Sequence, residues 1–225
     1  VSETGPDWDI GMDSIEVPAD LMRYKRRDTA HVDSNQRPTQ DQYDRFITII
    51  QYGRQVGWNH HDIHSNGPFL MADPGVQFIF LRANRDLLEL ARRLELTDAY
   101  DEIQEWIQRV EDGCNWLWND DIGGYCARDI RSGRFSDAIT NASMLCFYGD
   151  VGSDEQRASM AAHCRRILNA CRYGMPSWDP EHSDFESRRY WRGPVWAIMN
   201  HMITIGLADA GEDELANRIQ SDTRL

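Results

Sequence analysis

Tyr190-Trp191-Arg192-Gly193-Pro194-Val195-Trp196 runs directly into the apolar residues Ala197, Ile198, Met199, Met202 and Ile203. Proline, with φ fixed near the helical value, suits the first turn of a helix, and glycine allows the tight backbone before it. The stretch therefore predicts a buried helix opening at Pro194 and running to about Ala208. Tyr190, Trp191, Arg192 and Trp196 should collect at its N-terminus, where free amide N–H groups and the helix dipole favour polar or anionic ligands. Flat aromatic walls with a few fixed polar groups are what a sugar pocket needs.

Upstream, the chain reads as a series of helices. Thr39 and Gln42 form a capping box, and Tyr43, Phe46, Ile47 and Ile50 follow at helical spacing. A Gly- and His-rich loop is expected from about Gly57 to Gly67. Asp73-Pro74 supplies an N-cap and an N1 proline for a helix to about Leu94, apolar on more than one face and so expected to be inner and buried. Another helix starts at Thr97, carries Ile103, Trp106, Ile107 and Val110, and extends as far as Trp118. Gly124 to Ser136 reads as strand-like, with Ser132-Gly133 as a hairpin turn. Asn141 to Tyr148 reads as a short buried helix. Ser153 and Gln156 cap a helix to about Asn169, and a last helix begins at Glu212.

Paired helices that alternate inner and outer predict an all-α toroid of helical hairpins with a short β-hairpin insertion. An open helical solenoid is the alternative, though no strict sequence period is present. The 225 residues suffice for one core. With Val at position 1 and no stop signal after Glu212, residues 1–225 are expected to be a single partial domain truncated at both ends. The net charge of −13 and a sequence pI near 4.9 argue against general nucleic-acid binding. Five cysteines, odd in number and without a CxxC pair, read as reduced core thiols, and a cytoplasmic location is expected. No membrane-length apolar run is visible, so no membrane partner is expected.

Several groups could carry chemistry. Glycosidic cleavage needs a carboxylic acid and a carboxylate on opposite sides of the bond, and Glu3-Thr4-Gly5-Pro6-Asp7-Trp8-Asp9 supplies three carboxyls. Arg37 sits before a capped helix, where Pro38 keeps it extended, a good place to turn a guanidinium toward a small carboxylate. His60, His61 and His64 with Asp62 lack the Glu of a zinc HExxH motif, and no metal is expected there.

The run YWRGPVW and its apolar helix resemble the signature of glycoside hydrolase family 63, related to the family 37 trehalases. PDWD at Pro6–Asp9, RRDTAHVDSNQRPT at Arg26–Thr39, LRANRDLLELA at Leu81–Ala91 and ACRYGMPSWDP at Ala170–Pro180 resemble its glucosylglycerate and mannosylglycerate hydrolase branch. The similarity covers nearly the whole chain in order. It implies an incomplete (α/α)6 barrel, inverting hydrolysis of a small anionic α-glycoside and no cofactor. The family's E-[ST]-G-x-D motif matches Glu3–Asp7 and makes Asp7 the catalytic acid. Alignment on PDWD instead leaves Glu3 nearest that position, because the two motifs overlap here.

The family's base, a Glu beyond the aromatic helix, has no counterpart before Leu225, so residues 1–225 alone are expected to be inactive. The resemblance also places Arg37, Tyr43, Tyr190, Trp191 and Trp196 around a glycerate-bearing substrate. A neutral α-glucosidase or trehalase-like hydrolase is the first rival, and a non-catalytic helical sugar-binding remnant the second. A homo-oligomer is left open.

Overall fold

The computed structural model describes residues 7–223. Among them the order is α1 (Gln40–Gln55), α2 (His60–Asn66), β1 (Met71–Ala72), α3 (Pro74–Arg93) and α4 (Thr97–Cys114). Strands β2 (Trp118–Asn119), β3 (Gly124–Tyr125) and β4 (Arg128–Asp129) follow, then α5 (Asn141–Met144), α6 (Asp154–Ala170), α7 (Ala197–Asp209) and α8 (Asp213–Thr223).

The helix starts are set by local chemistry. Thr39 Oγ1 accepts from the Gln42 amide at 3.3 Å while Gln42 Oε1 accepts from the Thr39 amide at 3.1 Å, closing the expected capping box of α1. Ser153 and Gln156 do the same for α6. Asp73 caps α3 through the Val76 amide at 2.8 Å, with Pro74 opening the helix.

Helix α3 packs on α4 and α7 on α8, each pair joined by a short connection, and α5 bridges α3 to α7. Short connections force neighbouring helices to run antiparallel, so these pairs are helical hairpins. Their facing sides form one core. It contains Phe78 and Leu81 of α3, Ile103 and Ile107 of α4, Met160 and Ile167 of α6, Ile203 and Leu207 of α7, and Leu215 and Ile219 of α8. Tyr125 sits at its centre, edge-on to both Phe78 (5.1 Å) and Trp118 (5.0 Å).

The expected hairpin is present: Asp129 and Arg134 are hydrogen-bonded across a turn in which Gly133 has φ +70°. Its strands pair elsewhere, β4 with β1 and β3 with β2, both antiparallel. Five expectations are corrected. Helix α4 ends at Cys114 rather than Trp118, because a 3-10 turn over Asn115–Leu117 leads into β2. The Gly57–Gly67 stretch contains α2, because Asn59 caps it by accepting from the Asp62 amide. Helix α5 covers only Asn141–Met144. Helix α7 opens at Ala197, because Pro194 lies in a bridge between residues 176–177 and 194–195 rather than in the first turn. Finally, α3 buries one apolar face and leaves the other open, with Val76 62% and Leu94 58% exposed.

Gly206 is where α7 crosses the turn after α5. A Cβ built there would run into the Tyr148 amide nitrogen and stand 2.5 Å from the Phe147 carbonyl carbon. Both obstacles are backbone, so neither can swing aside. Gly206→Ala should cost about 2–3 kcal/mol by overpacking. In a thermal melt this would lower Tm by roughly 5–10 °C.

Candidate functional site

Two arginines share one carboxylate in the loop before α1. Arg26 donates through Nε to Asp28 Oδ1 at 3.1 Å and through Nη2 to Asp28 Oδ2 at 2.7 Å, and Nη2 also reaches the Pro38 carbonyl at 2.7 Å. Its guanidinium lies 4.3 Å over the Tyr43 ring, which in turn stacks on Tyr24. Tyr24 donates its hydroxyl to Asp44, and burial together with that acceptor pushes the phenol up to about 12.

Arg37 is held differently. Its Nε donates to Asp28 Oδ2 in a long contact of 3.4 Å, and its guanidinium lies 4.0 Å over the Tyr190 ring. Among the described residues neither of its Nη atoms has a hydrogen-bond partner within the chain, and the side chain is 21% exposed. The end-on edge of the guanidinium, with two parallel N–H groups, is thus left for a carboxylate. The Arg26 hydrogen bonds hold the Asp28 carboxyl below the usual carboxylate range, against the opposing effect of burial.

The loop meets the aromatic run directly, since the Tyr190 amide donates to the Gln36 carbonyl at 3.2 Å. Trp191 and Trp196 stack 4.6 Å apart, and Tyr190 stands edge-on to both. The run is folded against residues 176–177: the Gly193 amide donates to Ser177 Oγ at 2.9 Å, and the Ser177 amide to the Pro194 carbonyl at 3.1 Å. The structure thus brings Arg37, Tyr190, Trp191 and Trp196 into one cluster. Tyr43 stands beside it under Arg26.

Arg192 departs from expectation. It is 3% exposed, too deep to form a ligand wall. It lies 5.2 Å from the Trp178 ring with Asp184 at 3.8 Å. Burial lowers its pKa, and the charges of Asp184 and Asp9 oppose that. Its position is that of a pin holding the aromatic run to its neighbours.

Of the expected acids, Glu3 lies outside the described residues. Asp7 begins a 3-10 turn, Asp7–Met12. Two residues on, Asp9 is buried and accepts from Gln42 Nε2 at 2.8 Å. Gln42 is also the capping-box residue of α1, so one side chain ties the segment bearing Asp7 to the helix that follows Arg37.

Trp191 also lines a cavity of about 280 Å³ with Asp73, Val76, Asn141, Ser177 and Met199. Burial raises the Asp73 carboxyl pKa, against the two backbone amides it caps. The sequence marks Asp73 only as a cap, shows Arg26 and Asp28 only as members of the run Arg26–Thr39, with no separate role, and gives no prominence to Asn141. An acid inside the basic run RRDT is the one available signal for Asp28. Among the described residues no group of three or more His, Cys, Asp or Glu could hold a metal ion, and no helix is long and apolar enough to cross a membrane.

Known proteins resemble this chain in sequence and in fold. The model of the mannosylglycerate hydrolase MGH1-like glycoside hydrolase domain matches residues 2–224. Mannosylglycerate hydrolase MGH1 of Selaginella moellendorffii is 34% identical over 221 residues, 98% of this chain and 45% of that protein. The mannosylglycerate hydrolase of Thermus thermophilus is 36% identical over 220 residues, 98% of this chain and 52% of the relative. A crystal structure of the family 63 mannosylglycerate hydrolase of Thermus thermophilus with Tris and D-glycerate superposes with a TM-score of 0.88 at 35% identity. It covers 96% of this chain and 52% of that one. The helical hairpins described above are those of its α/α toroid fold. The chain spans about half the length of the curated relatives it matches.

Proposed function

The chain belongs to the mannosylglycerate hydrolase MGH1-like glycoside hydrolase family, and from that premise we propose that it serves the hydrolysis of an α-glycoside linking a hexose to glycerate. Mannosylglycerate is the first candidate substrate and glucosylglycerate the second. The observation that carries the reading is the presentation of Arg37: one edge anchored on Asp28, one face on Tyr190, and the end-on edge open to a carboxylate.

In this reading Arg37 takes the glycerate carboxylate, while Trp191 and Trp196 supply the apolar face against which a pyranose stacks. Tyr43, behind Arg26, borders the glycerate end. Asp7 protonates the glycosidic oxygen as the bond to glycerate breaks. A second carboxylate activates water from the opposite face, roughly 6.5–9.5 Å from the acid in an inverting site. The family resemblance puts that second carboxylate on a Glu beyond the aromatic helix. A cationic spot within a chain of net charge −13 is what an anionic glycoside requires.

Calorimetric titration of the chain with D-glycerate and with glycerol tests the reading. Glycerate is expected to bind and glycerol, lacking the carboxylate, to bind at least about tenfold more weakly. Equal affinities would favour a neutral-glycoside hydrolase instead.

A further inference from the structure

Arg26 and Arg37 contact the same carboxylate yet are placed very differently. Arg26 is closed in: Nε and Nη2 both go to Asp28, Nη2 also to the Pro38 carbonyl, and one face is covered by Tyr43. Arg37 touches Asp28 through Nε alone. The shared acceptor is itself sunk in the loop, its side chain only 6% exposed.

From this juxtaposition we propose that Asp28 is a positioning residue that aims Arg37, and that Arg26 is the counter-charge that makes an acid tolerable there. The inference rests on the glycerate reading of Arg37. An anchor on Nε fixes the plane of the guanidinium about its last side-chain torsions, and Tyr190 fixes which way the plane faces. The strongest hydrogen-bond anchor for a guanidinium is a carboxylate, which would repel a glycerate carboxylate a few ångströms further on. Arg26 removes that conflict. The three charges sum to +1, so the ligand meets a net cation held in one orientation. Arg26 thus tunes affinity for an anionic aglycone without touching it.

The probe is D-glycerate itself, titrated into the chain, with thermal melts on every variant to establish folding. Arg26→Met leaves Asp28 uncompensated beside Arg37, and Kd should rise by about tenfold or more. Arg26→Lys gives up the two-pronged contact but keeps the charge, which is all the counter-charge role requires, and should hold Kd within about threefold of the parent. The double variant Arg26→Met with Asp28→Asn restores a net charge of +1 and should recover most of the loss.

A purely structural role for Arg26 would give no recovery in the double variant, and that result would overturn the proposal. So would an Arg26→Met variant that is folded and binds glycerate like the parent. Where Arg26→Met fails to fold, the Lys variant carries the decision, and a large loss there overturns the counter-charge role. Glycerate binding that depends on Arg37 but not on Arg26 or Asp28 defeats this inference alone. Absence of Arg37-dependent binding defeats it together with the functional reading.

Discussion

Arg37→Ala is expected to weaken binding of D-glycerate by about 10²–10³-fold, the loss of roughly 3–4 kcal/mol from a two-pronged charge-assisted contact. The magnitude rests on the half-enclosed setting. Arg37 lies on the Tyr190 face with its side chain 21% exposed, so its field is less screened than that of a surface arginine. In a hydrolytically competent protein carrying this chain, the same change should raise KM for a glycerate glycoside far more than for a neutral glycoside of the same sugar. Lysine at this position supplies the charge but one point of contact, and should recover only part of the affinity. Equal losses on charged and neutral substrates would remove the carboxylate role and leave Arg37 as a support for Tyr190. Raising the salt concentration should weaken parent binding modestly and leave the residual binding of the Ala variant unchanged.

Capping chemistry is why so much of the fold is legible in the sequence. Thr39-Gln42, Ser153-Gln156 and Asp73-Pro74 each satisfy orphan amides with side chains two or three positions away, so local sequence contains the whole cause. Pro194 misleads for the converse reason. Its place is decided by Ser177 and residues 176–177, distant in sequence, which pull residues 194–195 into a bridge before the helix can begin. The apolar character of α3 is plain from its composition, but which face is covered depends on what packs there, and Val76 and Leu94 are left exposed.

The candidate site divides along the same line. Arg37 and the aromatic run are visible because each is an unusual local string. The Asp28 anchor, the burial of Arg192 and the Asp9–Gln42 contact all come from chain crossings that no local pattern announces. Asp28 is hidden further by its neighbours, since an acid inside Arg26-Arg27-Asp28 reads as an ordinary surface ion pair until the Pro38 carbonyl and Tyr43 close around Arg26.

The acid assignment gives the other large effect. A general acid contributes about 10²–10⁴-fold when the leaving group is a poor one such as an alcohol, and little when the leaving group needs no proton. In a hydrolytically competent protein carrying this chain, Asp7→Asn should therefore reduce kcat on mannosylglycerate by that factor while largely sparing the corresponding α-glycosyl fluoride, whose fluoride departs unprotonated. Asp9, two residues along, is buried on Gln42, and Gln42 in turn caps the helix that follows Arg37. Glu3→Gln should then change kcat only a few-fold. If the fluoride-rescued loss instead follows Glu3, the overlapping motifs resolve in favour of alignment on Pro6–Asp9, and Asp7 becomes a support. If neither variant shows the rescue, the acid lies elsewhere, and the glycosidic role of this segment falls while the Arg37 carboxylate site stands on its own.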